Sequence, residues 1–377
     1  MSEYQKTMRN SALDGIRGWA AVAVVFFHTI SGMDAHVLSA PANTFYGEWT
    51  TTVLTLVDGS TAVVLFFILS GCVLTVSLQR TTRVQGYLRS AFSFVVKRIL
   101  RIYPSVIACI AAMAFSYWLL SFWQPQLFLP FPLHDVLTNM LLVDWSVHGA
   151  TWTLNMEIFA VPLMLVFGLA SVAIGNAAIY VFVLAAIAIH FGPSNYFGFL
   201  QCFNMIYFAA GCLVTTPIGK ASTKLVSVYA ALAFTLFCRV FIRHELFDIW
   251  LIQALFGFLF VSHIYYEPNT KLAKVLSRPL SQFMGRISFS LYLWNVPVLY
   301  LIFPIYRQYV SPVSNYPVEA GSVMATVVIL VTIPIAVVSM RLIEHPFIAL
   351  GRKIGDLWPQ SLLSVQLDPA ICYSGRR

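Results

Sequence analysis

The first long apolar stretch of the chain reads Leu13-Asp-Gly-Ile-Arg17-Gly-Trp-Ala-Ala-Val-Ala-Val-Val-Phe-Phe-His28. It is apolar enough to enter a bilayer, yet it carries Arg17 and His28, two side chains that hydrocarbon disfavours. Ionisable groups at such a depth usually face the interior of a helix bundle or a wet cavity, where they mark a functional site. The stretch therefore predicts a membrane helix that turns one polar face towards neighbouring helices.

The spacing between Arg17 and His28 places both on the same face of that helix. Eleven residues at about 100° each return to within roughly 20° of the starting direction, and they rise about 16 Å. A fixed cation near one end and a titratable imidazole three turns along suit the binding end and the chemical end of one tunnel. Taken alone, the pair is also compatible with an arginine that reaches the interface and a hydrogen-bonded core histidine. Asp14, three residues before Arg17, is expected to be its structural partner.

The composition places the whole chain in the membrane. Of its 377 residues, 59% are hydrophobic and only 10% are charged, whereas a soluble domain carries about a quarter charged residues. The six cysteines are scattered and form neither a CxxC pair nor a cluster with histidine, so we expect no disulfide and no metal site. These features predict an all-α integral membrane protein.

Apolar runs of about 18 to 22 residues predict ten transmembrane helices, near 13–32, 60–79, 101–122, 151–170, 172–190, 196–215, 225–242, 247–266, 286–305 and 319–342. With both termini in the cytoplasm, the loops 33–59 and 123–150 lie outside, and neither contains a lysine or an arginine. This charge bias is the one that orients membrane proteins. The bundle is expected to span 1–352, followed by a cytoplasmic tail over 353–377.

The net charge of +8 is spread over several short loops that flank the predicted helices. Such a distribution reflects topology, contact with lipid headgroups or an anionic cofactor, rather than a face that binds nucleic acid. The stretch 80–100 is expected to form a basic amphipathic helix on the cytoplasmic surface.

A pair of arginines, Arg98 and Arg101, opens the third predicted span. At a separation of three residues they are neighbours on a helix surface. Two guanidinium groups beside the positive end of a helix form a site suited to phosphate. The alternative is ordinary anchoring by positive charge, which would not depend on the spacing.

Two glutamates stand out in the rest of the chain. Glu157 lies about six residues, roughly 9 Å, below the outer surface, close to the expected depth of His28. Its carboxylate can orient the imidazole, or it can pair with an arginine for structural reasons. Trp152, at the start of that span, is expected to belong to the interfacial aromatic belt. Glu344, after the tenth span and near Arg341, is expected to form an ion pair at the cytoplasmic entrance.

Six segments in chain order, from about residue 12 to 350, resemble the membrane acyltransferase family three, the O-acyltransferases of bacterial surface glycans. They are Leu13-Asp-Gly-Ile-Arg17-Gly with His28, Val64-Leu-Phe-Phe-Ile-Leu-Ser70-Gly71, Arg98-x-x-Arg101-Ile-Tyr103-Pro104, Trp152-Thr-Leu with Glu157, Ser288-Phe-Ser-Leu-Tyr-Leu-Trp294, and Ile343-Glu344-His-Pro. The sequence departs from the family at Asn295, where histidine commonly follows the Tyr-Leu-Trp motif.

The resemblance implies an enzyme of the bacterial cytoplasmic membrane that moves an acyl group, often acetyl, from cytoplasmic acyl-CoA to a sugar hydroxyl on the other side. Acyl-CoA would bind at Arg98 and Arg101 with Arg17 nearby, and the acceptor would be a glycan or a lipid-linked saccharide of the cell envelope. His28 would accept the hydroxyl proton or first take the acyl group itself, and Glu157 is the second catalytic candidate. The supporting residues are Asp14, Tyr103, Trp152 and Glu344.

Two other classes are open on the residues alone. A flippase or transporter of a glycan-lipid or phosphorylated substrate would also line its path with arginine and histidine, but it predicts activity without CoA and an inverted repeat, which we do not find in the sequence. A non-catalytic scaffold gives no reason for buried arginine, histidine and glutamate. The other histidines, His148 among them, lack partners at a useful spacing and are treated as background.

The topology can be tested with reporter fusions at Asn43, Val84 and Leu133. We expect extracytoplasmic signals from Asn43 and Leu133 and a cytoplasmic signal from Val84, because arginine and lysine surround only the last position. A cytoplasmic signal from Asn43 would contradict the predicted orientation.

Overall fold

The structure, a computed structural model, describes residues 10–33, 45–191, 199–241, 249–309 and 317–356, which contain helices and no strand. In chain order the helices are α1 (Ser11–Met33), α2 (Phe45–Leu56), α3 (Gly59–Gln85), α4 (Tyr87–Ser121), α5 (Leu133–Met140), α6 (Trp152–Ile174), α7 (Asn176–His190), α8 (Phe199–Val214), α9 (Pro217–Ser222), α10 (Val228–Phe241), α11 (Ile249–Tyr266), α12 (Lys271–Leu276), α13 (Pro279–Tyr309), α14 (Pro317–Ser339) and α15 (His345–Asp356). The predicted all-α class is confirmed.

Seven segments of the described chain are long and apolar enough to cross a membrane. Three shorter apolar helices accompany them, at Asn176–His190, Asn204–Val214 and Val228–Cys238. Each of the ten predicted spans coincides with one of these segments or helices. The count of ten crossings and the cytoplasmic placement of both termini stay predictions.

The stretch 80–100 does not form a single surface helix. It is divided between the end of α3 and the start of α4 at Gly86, whose φ of +79° suits a residue without a Cβ. From there α4 continues for 35 residues, and α15 packs along its first half. Arg98 is consequently inside the bundle, with only 7% of its surface exposed. The predicted boundary between 352 and 353 falls within α15, and residues 357–377 lie outside the described part of the chain.

The most extensive helix pair in the described chain is α1 with α13. Their backbones approach closely because Gly18 and Gly285 carry no side chain at the crossing. A Cβ on Gly18 would lie 2.6 Å from the Gly285 nitrogen, and a Cβ on Gly285 would lie 2.3 Å from the Asp14 carbonyl oxygen. Close approach through small residues is a common way to pack helices in lipid, where the hydrophobic effect no longer drives their association. This crossing fixes Arg17 and His28 relative to α13.

Helix α3 lies at the centre of the largest apolar core. It packs against α1, α6 and α8, and Phe67 stacks on Phe208 with a centroid separation of 4.8 Å. Ser70, on the same helix, is 3% exposed. The core therefore holds a hydroxyl group at the point where α3 faces α6.

Replacing Gly285 with alanine should destabilise the protein. The added methyl group meets the backbone of α1, which cannot rotate away, and overpacking of this kind costs about 1–3 kcal/mol. We expect a lower melting temperature in detergent for Gly285→Ala than for Gly351→Ala, because the nearest atom to a Cβ on Gly351 is 3.4 Å away. Equal melting temperatures for the two variants would contradict the close contact.

Candidate active site

A cavity of about 60 Å³ lies between α1, α3, α4, α6 and α13, with room for roughly two water molecules. Its charged lining residues are Arg17, Arg98, Arg101 and Glu157. Three cations and one anion give these lining groups a net charge of +2. We call this space the arginine cavity. The residues predicted from two separate motifs to bind phosphate do converge on it.

The arginine cavity is organised by an ion pair between α4 and α6. Nη2 of Arg98 lies 2.9 Å from Oε2 of Glu157, and the hydroxyl of Ser70 donates a hydrogen bond of 2.9 Å to Oε1 of the same carboxylate. Within the described part of the chain, Nε of Arg98 is buried and makes no hydrogen bond. A buried donor without an acceptor is costly, so an oxygen-rich ligand would meet an unpaired N–H group here.

Glu157 lies beside Arg98 and not beside His28. The last residues of the loop 123–150, which is predicted to be extracytoplasmic, pack into the bundle. His148 is fully buried there, and the side-chain amide of Asn155 donates to the Leu142 carbonyl at 2.6 Å. Helix α6 therefore starts inside the protein, and Glu157 lies level with Arg98. Of its two predicted roles, the pairing with an arginine is the one observed.

Trp152 begins α6 and faces the apolar core. Its ring packs edge-to-face on Phe67, with centroids 6.3 Å apart, and it lies against the largest apolar core. The place of Trp152 in an interfacial aromatic belt stays a prediction. Tyr103 supports the same region from α4, because its hydroxyl donates to the Leu141 carbonyl at 3.4 Å.

Acidic groups flank the arginine cavity on a second side. Glu344 is 6% exposed and lies in a π-helical turn over 340–344, a distortion that is frequent at functional sites. It accepts a hydrogen bond of 3.2 Å from Ser290 and interacts electrostatically with Arg101 and Arg17, whereas Arg341 is exposed. Asp14 likewise interacts with Arg17, as the spacing in α1 predicted.

His28 lines a different cavity, of about 500 Å³, which we call the histidine cavity. The residues around it include His28, Ser31, Tyr117, Gly149, Ala150 and Tyr300. The spacing in α1 correctly predicts that Arg17 and His28 face the bundle. The described residues nevertheless form two cavities with no lining residue in common, rather than one open tunnel.

The two cavities share a wall made by Tyr292 and Ala150. Tyr292 lines the arginine cavity, its hydroxyl donates to the Ala150 carbonyl at 2.8 Å, and Ala150 lines the histidine cavity. Thr153 contacts the same hydroxyl at 2.7 Å. One side chain and one peptide group therefore separate the cationic end of the site from the imidazole.

Asn295 determines which nitrogen of His28 carries the proton. The Asn295 side-chain amide donates to the carbonyls of Leu291 and Tyr292, so its oxygen is the end that faces Nδ1 of His28, at 3.4 Å. An amide oxygen only accepts, and the neutral ring then carries its hydrogen on Nδ1 and a lone pair on Nε2. Asn295, the position at which the sequence departs from the family pattern, therefore contacts the candidate catalytic residue His28 directly.

His148 is the residue that the sequence did not single out. Its Nε2 donates to the Leu293 carbonyl at 2.8 Å, and its Nδ1 has no hydrogen-bond partner in the described ranges. It interacts electrostatically with His28 and directly precedes Gly149 in the wall of the histidine cavity. No signal in the sequence indicates this position, because it depends on the inward path of 141–151.

Comparison with known proteins gives a match over most of the chain. The model of a family described as an acyltransferase domain matches residues 10–341. The O-acetyltransferase OatA of Staphylococcus aureus strain NCTC 8325 / PS 47 is 32% identical over 124 residues, which are 31% of this chain and 19% of that protein. A putative O-acetyltransferase of S. aureus strain COL is 34% identical over 104 residues, 28% of this chain and 15% of that protein.

The matched part therefore spans about a fifth or less of the length of these curated relatives. No solved structure matches the chain. The family model, in contrast, covers the first five of the six sequence segments and ends at Arg341, just before the sixth. The protein belongs to the membrane acyltransferase family three.

Proposed function

We propose that this protein is an O-acyltransferase of the bacterial cytoplasmic membrane. It moves an acyl group, acetyl in the first instance, from cytoplasmic acyl-CoA to a hydroxyl of a glycan or lipid-linked saccharide at the opposite face. The observation that carries the proposal is the layout of α1, which presents Arg17 to a buried cationic cavity and His28, with a free Nε2, to a second cavity. A phosphate-bearing donor and a hydroxyl-bearing acceptor need these two environments next to each other.

The donor is proposed to bind on the side of Arg17, Arg98 and Arg101. The arginine cavity, at about 60 Å³, is too small for a nucleotide, so the phosphates of CoA would lie at its rim against Arg101 and Arg17. The narrow arm that ends in the thioester would enter the cavity. Its amide or carbonyl oxygens would then meet the unpaired Nε–H group of Arg98.

His28 is proposed to act on the acceptor. The hydroxyl oxygen attacks the thioester carbonyl carbon, a C–O bond forms, and the C–S bond breaks. The hydroxyl proton passes to Nε2 of His28 and from there to the departing thiolate of CoA. Asn295 keeps Nδ1 protonated through its amide oxygen, which leaves Nε2 as the basic nitrogen throughout. The thioester must pass the wall at Tyr292 to reach this position.

Glu157 is proposed to be a positioning residue for Arg98 rather than a group that acts on substrate. One of its carboxylate oxygens pairs with Arg98, and the other accepts a hydrogen bond from the Ser70 hydroxyl of α3. The carboxylate holds the guanidinium in the cavity and compensates its charge. This role replaces the orientation of His28, for which Asn295 is the contacting side chain.

The proposal is tested with purified protein in nanodiscs, radiolabelled acetyl-CoA and a saccharide acceptor. Arg101→Ala should weaken acetyl-CoA binding by roughly 10- to 150-fold, because a charge-assisted phosphate contact contributes about 1.5–3 kcal/mol. Arg101→Lys should recover only part of this loss, since a point charge replaces a planar fork. Arg278→Ala removes an exposed cation and serves as the control with normal affinity.

His28→Gln should lower acyl transfer by at least about 100-fold, because general base catalysis contributes 10²–10⁴ and glutamine does not titrate near neutral pH. Acetyl-CoA binding by the same variant should be unchanged. Near-normal transfer by His28→Gln would overturn the proposed base. Movement of a glycan-lipid across the bilayer without any use of acetyl-CoA would instead favour the transporter.

The Arg98–Glu157 pair makes a separate prediction about stability. Glu157→Gln leaves a buried guanidinium without its counter-ion, which costs about 3–5 kcal/mol, and should lower the melting temperature well below that of Glu267→Gln at an exposed position. Changing both partners together, Arg98→Met with Glu157→Met, should restore much of the loss, because no uncompensated charge stays buried. Equal stability of Glu157→Gln and Glu267→Gln would show that the pair is not a structural requirement.

A further inference from the structure

The histidine cavity, about 500 Å³ beside His28, has a volume within the range of small-molecule sites. We infer that it is the acceptor site and that it takes an uncharged sugar ring, held between aromatic side chains with one hydroxyl directed at His28. This inference rests on the proposed function and extends it, because it names where the acceptor binds and which class of sugar is accepted.

Aromatic rings form the walls of the histidine cavity. Tyr117 from α4 and Tyr300 with Phe303 from α13 line it. The ring of Tyr117 is held in place by two other rings, since its centroid lies 5.3 Å from that of Phe128 and 4.7 Å from that of Phe131. Rigid aromatic faces bind the C–H faces of a pyranose ring well, since the ring faces carry partial negative charge and the C–H groups partial positive charge.

A few polar atoms are placed among these rings. The Tyr117 hydroxyl donates to the Tyr300 carbonyl at 3.1 Å, and the Ser31 hydroxyl donates to the Phe27 carbonyl at 2.6 Å. Both hydroxyl hydrogens are thus used, and both oxygens keep lone pairs that accept hydrogen bonds. With Nε2 of His28, the cavity offers three acceptors, which is the complement of a molecule rich in O–H donors. An acyl chain would leave all three unmet.

The charge of the lining sets the class of sugar. Among the described residues that line the histidine cavity, none carries a fixed charge, in contrast to the three arginines of the other cavity. The Arg307 guanidinium lies over the Phe303 ring, 4.4 Å from its centroid, but Arg307 is not among the lining residues. A carboxylate placed among the lining residues would lose hydration without gaining a cationic partner from them, which costs several kcal/mol. The cavity therefore discriminates against acidic sugars and against the phosphates of the donor.

Gly149 opens the cavity on the side of the shared wall. A Cβ built on this residue has no other atom within 4 Å, and its φ is not among the positive values in the described chain. A larger side chain can therefore be introduced without backbone strain, and it would extend into the space beside His28. This position allows the site to be blocked while the fold and the arginine cavity are kept.

Direct binding is measured first, without any donor. Methyl glucoside and methyl glucuronoside differ by a carboxylate, and saturation-transfer NMR on the protein in nanodiscs reports binding of each. We expect binding of the uncharged probe to the unchanged protein, weak or no binding of the acidic probe, and loss of the glucoside signal in Gly149→Leu. Tyr300→Leu, which removes one aromatic face, should weaken glucoside binding at least tenfold.

Acyl transfer is measured next, with the same variants. Gly149→Ala should raise the acceptor KM modestly and Gly149→Leu at least tenfold, while the affinity for acetyl-CoA stays normal in both. Gly351→Ala, outside both cavities, controls for substitution of a glycine. An unchanged acceptor KM in Gly149→Leu, or equal binding of the acidic and uncharged probes, would overturn the assignment of this cavity as the acceptor site.

Failure of the proposed function gives a different result. If the unchanged protein transfers no acetyl group from acetyl-CoA to any saccharide, the reaction is wrong, whereas glucoside binding that Gly149→Leu abolishes would still show the sugar site. If transfer occurs and glucoside binding is insensitive to Gly149→Leu, the reaction stands and the location of the acceptor is wrong.

Discussion

The arrangement of the helices around the arginine cavity depends on one buried ion pair, Arg98 with Glu157, whose charges are removed from water. Arg98 and Glu157 are held 2.9 Å apart inside a largely apolar bundle, and neither group would be stable there without the other. The Ser70 hydroxyl on the same carboxylate ties α3 to α4 and α6. Because the pair cannot move apart without exposing a charge to hydrocarbon, it also fixes the arginine cavity around it.

Helix α1 connects this cationic centre to the imidazole. Its close crossing with α13 at Gly18 and Gly285 leaves little freedom to slide or rotate, so His28 keeps its place opposite Asn295. The pairing through a neutral amide differs from the carboxylate that often accompanies a catalytic histidine. It selects a tautomer without adding a negative charge beside the ring, which is compatible with a site from which fixed charge is otherwise absent.

In the proposed function, the two cavities would serve two chemically different molecules. Phosphate requires arginine, and arginine in lipid requires glutamate, so that end of the site is polar and narrow. A sugar ring requires aromatic faces and hydrogen-bond acceptors, and the histidine cavity supplies these without fixed charge. Tyr292 and the Ala150 carbonyl lie between the two cavities, at the place where the acyl group would pass from the donor to the acceptor.

Composition, periodicity and spacing were enough to predict a helical membrane protein, the shared face of Arg17 and His28, and the closeness of Arg98 and Arg101, because these depend only on hydrophobicity and helical repeat. The partner of Glu157, the burial of His148 and the contact between Asn295 and His28 could not be obtained in this way. They depend on the inward path of 141–151 and on the crossing of α1 with α13. The two histidine contacts join residues more than 100 positions apart. Helical spacing fixes which residues share a face of one helix, whereas the side chains they meet on other helices are decided by tertiary packing, here by a loop that enters the bundle.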